Sequence, residues 1–345
     1  MLYNTSIKVK EVALMLARGL SSFLLGCCCL LAFEANAQAK GIVSLQVEND
    51  ALVGLDKHYT SGVLLSYFPL TPAPDWAISV MNDLGLKVVP DKVALEYSIG
   101  NTIFTPKDFE STEPLPDQRP WAGHTFASLA IMRKPKRLDS FIKVGDKLNI
   151  TLGHAGPASG GEWGQKKLHE IIGSPKPGGW QHQIGNETTF NLHYFRKWQV
   201  YQQLSDSYEL EWSPLFSLAL GSPYTYASLG FTLRLGPDLR QDYGPPSIQP
   251  NYPGSSYFSP GHPWNWYLVA GMEYRYMHYN LFLDGPVFRD GPSIEKYRNI
   301  DDFFVGGAVS YEKVRLGWTA VSRSIEFLGQ AKRDYFGSLN LSYYY

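Results

Sequence analysis

The feature that most constrains the fold is a series of short segments in which apolar and polar residues alternate. The clearest is VALEYSIGN, in which one face holds Val93, Leu95, Tyr97 and Ile99 and the other holds polar or small residues. No segment after residue 40 approaches the apolar length of a transmembrane helix. Strands of about ten residues with a period of two are typical of barrels that cross a membrane, although the strands of a water-soluble β-sandwich also alternate.

The C-terminal segment favours the membrane barrel over the sandwich. YFGSLNLSYYY places Leu339, Leu341, Tyr343 and Tyr345 on one face, and its final residue is aromatic. In an outer-membrane barrel the last strand closes the barrel, and aromatic residues lie at the membrane interface. The chain also contains 22 Tyr and 9 Trp, which fits such an interface. We therefore predict an all-β, antiparallel outer-membrane β-barrel with a short helix in an extracellular loop.

Residues 1–37 have the pattern of a secretory signal peptide. Basic residues precede the apolar run FLLGCCCLLAF, and Ala35-Asn36-Ala37 matches a small-x-small cleavage site. LLGC also fits a lipoprotein cleavage before Cys27, and both alternatives predict export from the cytoplasm. Since all three cysteines lie in this segment, we expect no disulfide to stabilise the domain. Residues 38–345 are then predicted to form one barrel domain in the outer membrane of a Gram-negative bacterium.

Twelve strands are predicted, because bacterial single-chain barrels have an even number and residues 264–283 are taken as one long strand. The predicted strands are 41–49, 60–68, 93–103, 123–133, 145–154, 188–202, 207–220, 225–236, 264–283, 303–313, 315–325 and 335–345. With the N-terminus in the periplasm, the loops after odd-numbered strands face outward. Segments 69–92 and 237–263 are then long for periplasmic turns, which are usually short.

Polar residues concentrate in three segments that each follow an odd-numbered strand, so we expect them on the same extracellular rim. The segments lie in or beside the loops 50–60, 104–122 and 155–187. The candidates in the first are Glu48, Asn49, Asp50, Asp56, His58, Tyr59 and Thr60. Those in the second are Lys107, Asp108, Asp117, Arg119 and Trp121, and those in the third are Gln165, His169, Trp180, Gln183, Asn186 and Glu187. The alternative interpretation is an ordinary solvated rim. In RPWAG, Trp121 is interpreted most simply as an interfacial tryptophan after a turn.

GQKKLHEIIG, residues 164–173, is the most helix-like short segment after the N-terminus. It places Gln165 and His169 four residues apart on one helical face. Leu168, Ile171 and Ile172 are expected to pack this helix against the protein. A helix inserted in an outer loop makes His169 a candidate catalytic residue.

The standard hydrolase motifs are missing from the sequence. It contains no G-x-S-x-G and no H-E-x-x-H, and Ser61 and Ser159 have no evident base beside them. A net charge of −1 gives no argument for nucleic-acid binding. A histidine with carboxylates and amide oxygens remains, which suits a water-activating base beside a hard cation such as calcium.

In order and spacing, three stretches resemble the outer-membrane lipid A 3′-O-deacylase family of the LpxR type. They are END…DKHYTSG, TP…DQRPWAG and GPASGGEWGQKKLHEIIGSPKPGGWQHQIGNE, within roughly residues 41–190. The resemblance implies a twelve-stranded barrel whose active site faces the outer leaflet. It also implies calcium-dependent hydrolysis of the ester that links the 3′ acyloxyacyl group to lipid A.

Carried over to this sequence, the resemblance makes His169 the general base that deprotonates water. It places calcium near Asp50, where the ion polarises the ester carbonyl, and it assigns positioning roles to Asn49, Thr60 and Gln165. Lys107 corresponds to a functional lysine of the family, although it stands earlier in its loop.

The resemblance also makes Glu187 a weaker candidate for a supporting carboxylate. Lys166 and Lys167 are solvated charges or contacts to lipid A phosphates. Two other functions remain open. An outer-membrane phospholipase would need Ser61 or Ser159 as nucleophile, and a porin or adhesin would need no catalytic residue.

Overall fold

The computed structural model describes residues 40–50, 58–133, 142–241, 244–248, 250, 254–260 and 263–345. The predicted signal peptide, Asp56 and the side chain of His58 lie outside the described residues. No helix in the described part of the chain is long and apolar enough to span a membrane.

Twelve antiparallel strands form a closed barrel, in which β1 pairs with both β2 and β12. The strands are β1 (Gly41–Asn49), β2 (His58–Pro69), β3 (Val93–Thr105), β4 (Ala122–Arg133), β5 (Ile142–Ala155), β6 (Glu187–Ser205), β7 (Tyr208–Gly221), β8 (Tyr224–Gly236), β9 (Trp264–Asn280), β10 (Asn299–Tyr311), β11 (Val314–Arg323) and β12 (Asp334–Tyr344). The predicted strand number is confirmed, and β9 is one long strand. We call the end at which β1, β3 and β5 finish the outer end, because the predicted topology places it outside the cell.

The predicted alternation is seen in β3 and in β12. In β3, Tyr97 and Ile99 are exposed on the outer face of the barrel, whereas Glu96 is buried in the lumen. In β12, Ser342 faces the lumen and forms a hydrogen bond to Ser44 of β1, with 2.9 Å between the hydroxyl oxygens. The C-terminal strand therefore closes the barrel, as its pattern predicts.

The segment between β8 and β9 enters the lumen instead of forming a periplasmic turn. Its described residues between 244 and 260, which we call the luminal segment, contact side chains from several strands. The backbone N–H of Ile248 donates to Glu48 of β1 (2.9 Å), and Arg315 of β11 donates to the carbonyls of Ser255 (3.1 Å) and Ser256 (3.2 Å). The length of residues 237–263 is thus explained, since this stretch fills the barrel.

The segment between β2 and β3 contains a helix, α1 (Asp75–Asp83), that the sequence analysis did not predict. Ala77 and Met81 are buried against Val93, Leu95 and Ile131, which lie at the other end of β3 and β4 from the outer end. Val93 and Leu95 share the outer face of β3 with Tyr97, so α1 covers the outside of the barrel wall. Two further α-helices occur in the described residues, α2 (Gly161–Ile172) after β5 and α3 (Leu281–Asp284) after β9.

Candidate active site

Helix α2 lies on the outer face of the barrel wall, against the outer ends of β3 and β4. Ile103 continues the outward face of β3 that Tyr97 and Ile99 define. A Cβ atom added at Gly164 of α2 would lie 3.8 Å from Cδ1 of Ile103. The alternate residues Thr102 and His124 point the other way and line a luminal cavity of about 70 Å³. The wall therefore separates α2 from the lumen.

The start of α2 approaches β4 so closely that only glycine fits. A Cβ atom added at Gly161 would lie 2.7 Å from Cα of Gly123, which is closer than real side chains come to a backbone. Just before the helix, the carbonyl oxygen of Ser159 accepts hydrogen bonds from Thr125 of β4 (2.6 Å) and Asn101 of β3 (3.3 Å). The glycine contact and these hydrogen bonds fix the position of α2 on the wall.

The buried face of α2 carries its polar residues, which corrects one expectation. Gln165 is 1% exposed and His169 is 4% exposed, and both follow Gly161 at intervals of four residues. Ile171 is exposed, so the prediction that it packs the helix against the protein is wrong. Leu168 is only partly buried, and the side chain of Ile172 lies outside the described part of the chain.

The side-chain amide of Gln165 has a fixed orientation, because its neighbour Trp180 donates a hydrogen bond to it. The indole Nε1–H of Trp180 donates to Oε1 of Gln165 (2.8 Å), and an indole N–H can only donate. The amide NH₂ group therefore occupies the other position, where it is buried and has no hydrogen-bond partner among the described residues. Gln165 thus presents a hydrogen-bond donor.

His169 presents a hydrogen-bond acceptor. Its Nδ1 lies 2.6 Å from the carbonyl oxygen of Pro175, and a carbonyl can only accept, so Nδ1 carries the proton in the neutral ring. Nε2 is then the unprotonated nitrogen. The ring of Phe109 meets the imidazole edge-on, with the centroids 5.6 Å apart. One turn of helix thus carries a donor at Gln165 and an acceptor at His169.

The aromatic residues beneath these side chains come from the loop between β3 and β4 and the loop between β5 and β6. Ile103, Phe109, Trp121 and Trp180 form one buried cluster, and the rings of Trp121 and Trp180 lie 5.1 Å apart. Trp121 is 3% exposed, so its interpretation as an interfacial tryptophan is wrong. It supports Trp180, which in turn orients Gln165.

The outer ends of β1 and β2 hold the other candidates. Asn49 donates through Nδ2 to the carbonyl oxygen of Thr60 (2.8 Å), and the hydroxyl oxygens of Thr60 and Thr105 are 2.6 Å apart. A β-bulge between Tyr59 and Ser61 shifts the register with β3, so Thr60 is not paired with a residue of β3. Thr105, at the end of β3, is a further candidate that the sequence reasoning did not single out, although it is the threonine of the TP motif.

Asp50 directly follows Asn49 and is buried. Its carboxylate, with the amide of Asn49 and the oxygens of Thr60, gives hard oxygen donors of the kind calcium prefers. Across the described residues, no group of three or more His, Cys, Asp or Glu side chains could hold a metal ion. Calcium at this position would therefore have to be held by one carboxylate together with neutral oxygens.

The remaining candidates take other positions. Lys107 is exposed in the turn after β3, two residues before Phe109. Lys166 and Lys167 are paired within α2, at 2.5 Å from Glu162 and 2.7 Å from Glu170. The hydrogen bond from Lys167 lowers the pKa of Glu170.

Other polar candidates hold loops together. Arg119 forms a buried ion pair with Glu326, 3.0 Å apart, which joins the loop after β3 to the loop after β11. Burial alone would raise the pKa of Glu326, but Arg119 and Arg323 hold it below its usual value. Glu187 begins β6 on its luminal side and accepts a hydrogen bond from the backbone of Val287 (2.9 Å), so it does not face α2.

The serine candidates lack a catalytic partner. Ser159 accepts a hydrogen bond from the backbone of Gly161 (3.3 Å), and Ser61 is buried in β2. In the described ranges, the side chains of His124, His169, His182 and His193 form hydrogen bonds to threonine, tyrosine or backbone oxygens, and none of these bonds is to a serine.

Comparisons with known proteins agree with the architecture. The model of the family "Outer membrane protein LpxR" matches residues 23–345. Among solved structures, LpxR from Salmonella typhimurium is similar with a TM-score of 0.73 and 18% identity, over 88% of this chain and 100% of that chain. At this identity the likeness shows the fold alone. The β domain of the Bordetella autotransporter BrkA has a TM-score of 0.42 and 9% identity, over 89% of this chain and 98% of that chain. No curated protein sequence matches the chain.

Proposed function

The chain belongs to the family of outer membrane protein LpxR, and on that premise we propose that it is an outer-membrane lipid A deacylase. The bond that it hydrolyses is the ester joining the 3′-linked acyl or acyloxyacyl group to the sugar. One observation carries the proposal. Gln165 and His169 present a hydrogen-bond donor and a hydrogen-bond acceptor from adjacent turns of a helix on the lipid-facing side of the wall.

His169 acts as the general base. Nε2 accepts a proton from water while Nδ1–H stays bonded to Pro175, which stabilises the charge on the ring as it forms. The water oxygen bonds to the ester carbonyl carbon, and the bond from that carbon to the sugar oxygen then breaks. His169 returns the proton to the sugar oxygen, so the products are a carboxylic acid and a sugar hydroxyl.

Gln165 acts as an electrostatic stabiliser. Its NH₂ group is buried and already oriented by Trp180, so no reorganisation is needed when negative charge develops on the ester oxygen. A donor of this kind stabilises the transition state more than the ground state.

The ends of β1 and β2 supply the cation site. Asp50 and Asn49 would hold calcium, which would supply a Lewis acid for the ester carbonyl. Thr60 positions this region through its contacts with Asn49 and Thr105. Lys107, exposed beside the site, contacts an anionic group of lipid A.

The location of α2 supports a lipid substrate. A molecule in the outer leaflet would reach α2 laterally, without leaving the membrane. A porin is a poorer interpretation, because the luminal segment occupies the barrel interior. A serine phospholipase is also poorer, because neither Ser61 nor Ser159 is hydrogen-bonded to a histidine side chain in the described ranges.

Mass spectrometry of lipid A tests the proposal. Cells that express the wild-type chain should lose one acyl or acyloxyacyl unit from lipid A, whereas cells that express His169→Ala should not. His182→Ala is the matched control, because His182 lies in the same loop and its ring Nε2 bonds to the carbonyl of Thr112 (3.0 Å). Equal deacylation by His169→Ala would overturn the assignment of the base, and unchanged lipid A with the wild-type chain would overturn the activity.

A further inference from the structure

The exposed surface of α2 carries two large apolar side chains beside its paired charged residues. Trp163 is 71% exposed and Ile171 is 68% exposed, while Gln165 and His169 are buried. A helix on the surface of a soluble protein shows the opposite distribution, with its apolar residues packed inward. The exposure of Trp163 and Ile171 indicates that part of the surroundings of α2 is apolar.

The position of α2 supports the same conclusion. Its buried side lies on the outward face of β3 and β4, in line with Tyr97 and Ile99, so its exposed side continues the membrane-facing surface of the barrel. At the other end of the same strands, α1 covers the wall and also leaves a tryptophan, Trp76, exposed.

The charged residues of α2 do not favour anionic headgroups as the main contact. Lys166 is paired with Glu162 and Lys167 with Glu170. This face therefore carries no net charge, and its apolar residues determine what it binds.

We propose that the exposed face of α2 is a lipid-binding surface, in which Trp163 and Ile171 insert among the acyl chains of the outer leaflet. The insertion fixes the depth of Gln165 and His169, which lie on the opposite side of the helix. The depth of α2 does not depend on which bond the site cleaves, so it is testable apart from hydrolysis.

Spin labels at single cysteines measure the depth directly. The chain has no cysteine after residue 37, so Trp163→Cys and Ile171→Cys can each carry one nitroxide. Leu229→Cys is the membrane reference, because Leu229 is exposed in the middle of β8. Glu113→Cys is the aqueous reference, because Glu113 is exposed in the loop after β3.

The labelled proteins are placed in vesicles of phosphatidylethanolamine and phosphatidylglycerol with lipopolysaccharide in the outer leaflet. The ratio of collision rates with oxygen and with a water-soluble nickel chelate reports depth. We expect the ratios at positions 163 and 171 to shift from the Glu113→Cys value toward the Leu229→Cys value. Ratios equal to the Glu113→Cys value would overturn the proposal.

A double variant connects depth with activity. Trp163→Ser with Ile171→Ser should lower the deacylation of lipid A in vesicles more than that of lipid A in detergent micelles. Trp76→Ser with Leu84→Ser, on and after α1, is the matched control and should leave the ratio of the two rates unchanged. An equal loss in vesicles and micelles would contradict a role in depth.

Discussion

His169 donates through Nδ1 to the carbonyl oxygen of Pro175 across 2.6 Å, and this bond makes Nε2 the basic nitrogen of the site. Asparagine places an amide N–H near the position of Nδ1 but has no counterpart of Nε2. We therefore expect His169→Asn to keep the contact with Pro175 and to lower kcat by about 100-fold or more, since loss of a general base typically costs this much. Deacylation rates and a heat-modifiability assay of the folded barrel measure the two effects, and wild-type kcat in this variant would show that His169 is not the base.

Gln165 gives a second prediction. Glutamate in its place still accepts from Trp180 but replaces the buried NH₂ group with oxygen, so Gln165→Glu should lower kcat by about 100-fold, as loss of an oxyanion donor does. Trp180→Phe should have a smaller effect, because it removes only the group that orients the amide. The two kcat values measured on the same substrate distinguish these roles, and a larger loss in Trp180→Phe would contradict them.

The strands could be predicted from the sequence because each one faces lipid on one side and a polar lumen on the other. This difference produces an alternation that is visible without tertiary information. The luminal segment and α1 escaped prediction because long-range contacts fix them, such as those from Arg315 to Ser255 and from Met81 to Ile131.

The candidate site was predicted in part. The spacing of Gln165 and His169 identified their shared helical face, but their orientation depends on Trp180 and Pro175, which the pattern does not connect with them. Ile171 was misplaced because the rule that apolar residues pack inward assumes water outside the helix. On the lipid-facing side of a barrel that assumption fails.

Calcium removal tests the cation site at Asp50. A calcium chelator should abolish deacylation, and added calcium should restore it, because the site depends on hard oxygen donors. Asp50→Asn should raise the calcium concentration that gives half-maximal activity. Asp108→Asn is the matched control, since Asp108 is exposed and bonds to Gln118 (2.6 Å). Full activity of the wild-type chain in the chelator would contradict a calcium requirement.

The ion pair of Arg119 and Glu326 gives a pH-dependent prediction. The pKa of Glu326 in the folded chain lies below its ordinary value of 4.5, so the pair stabilises the fold above pH 4.5. This contribution is lost as the pH falls through the lowered pKa. Glu326→Gln leaves Arg119 buried without a charged partner, which should cost about 3 kcal/mol at pH 7.

Unfolding in denaturant at several pH values measures this effect. The difference in the free energy of unfolding between the wild-type chain and Glu326→Gln should be largest near neutral pH and should shrink below pH 4.5. Glu113→Gln is the control, because Glu113 is exposed and such surface substitutions change stability by about 0.5 kcal/mol or less. A difference that stays constant with pH would contradict the role of the Glu326 charge.

The luminal segment predicts a barrel that conducts few ions. Ile248 bonds to Glu48 and Ser256 to Glu96, so the segment is attached to opposite ends of the luminal surface. Replacing residues 244–260 with a short glycine-serine turn should open the interior and raise the single-channel conductance in planar bilayers. Ile248→Pro removes the N–H that donates to Glu48 but keeps the rest of the luminal segment, so it should leave the conductance low. A wild-type chain that conducts as well as the deletion variant would show that the segment does not close the lumen.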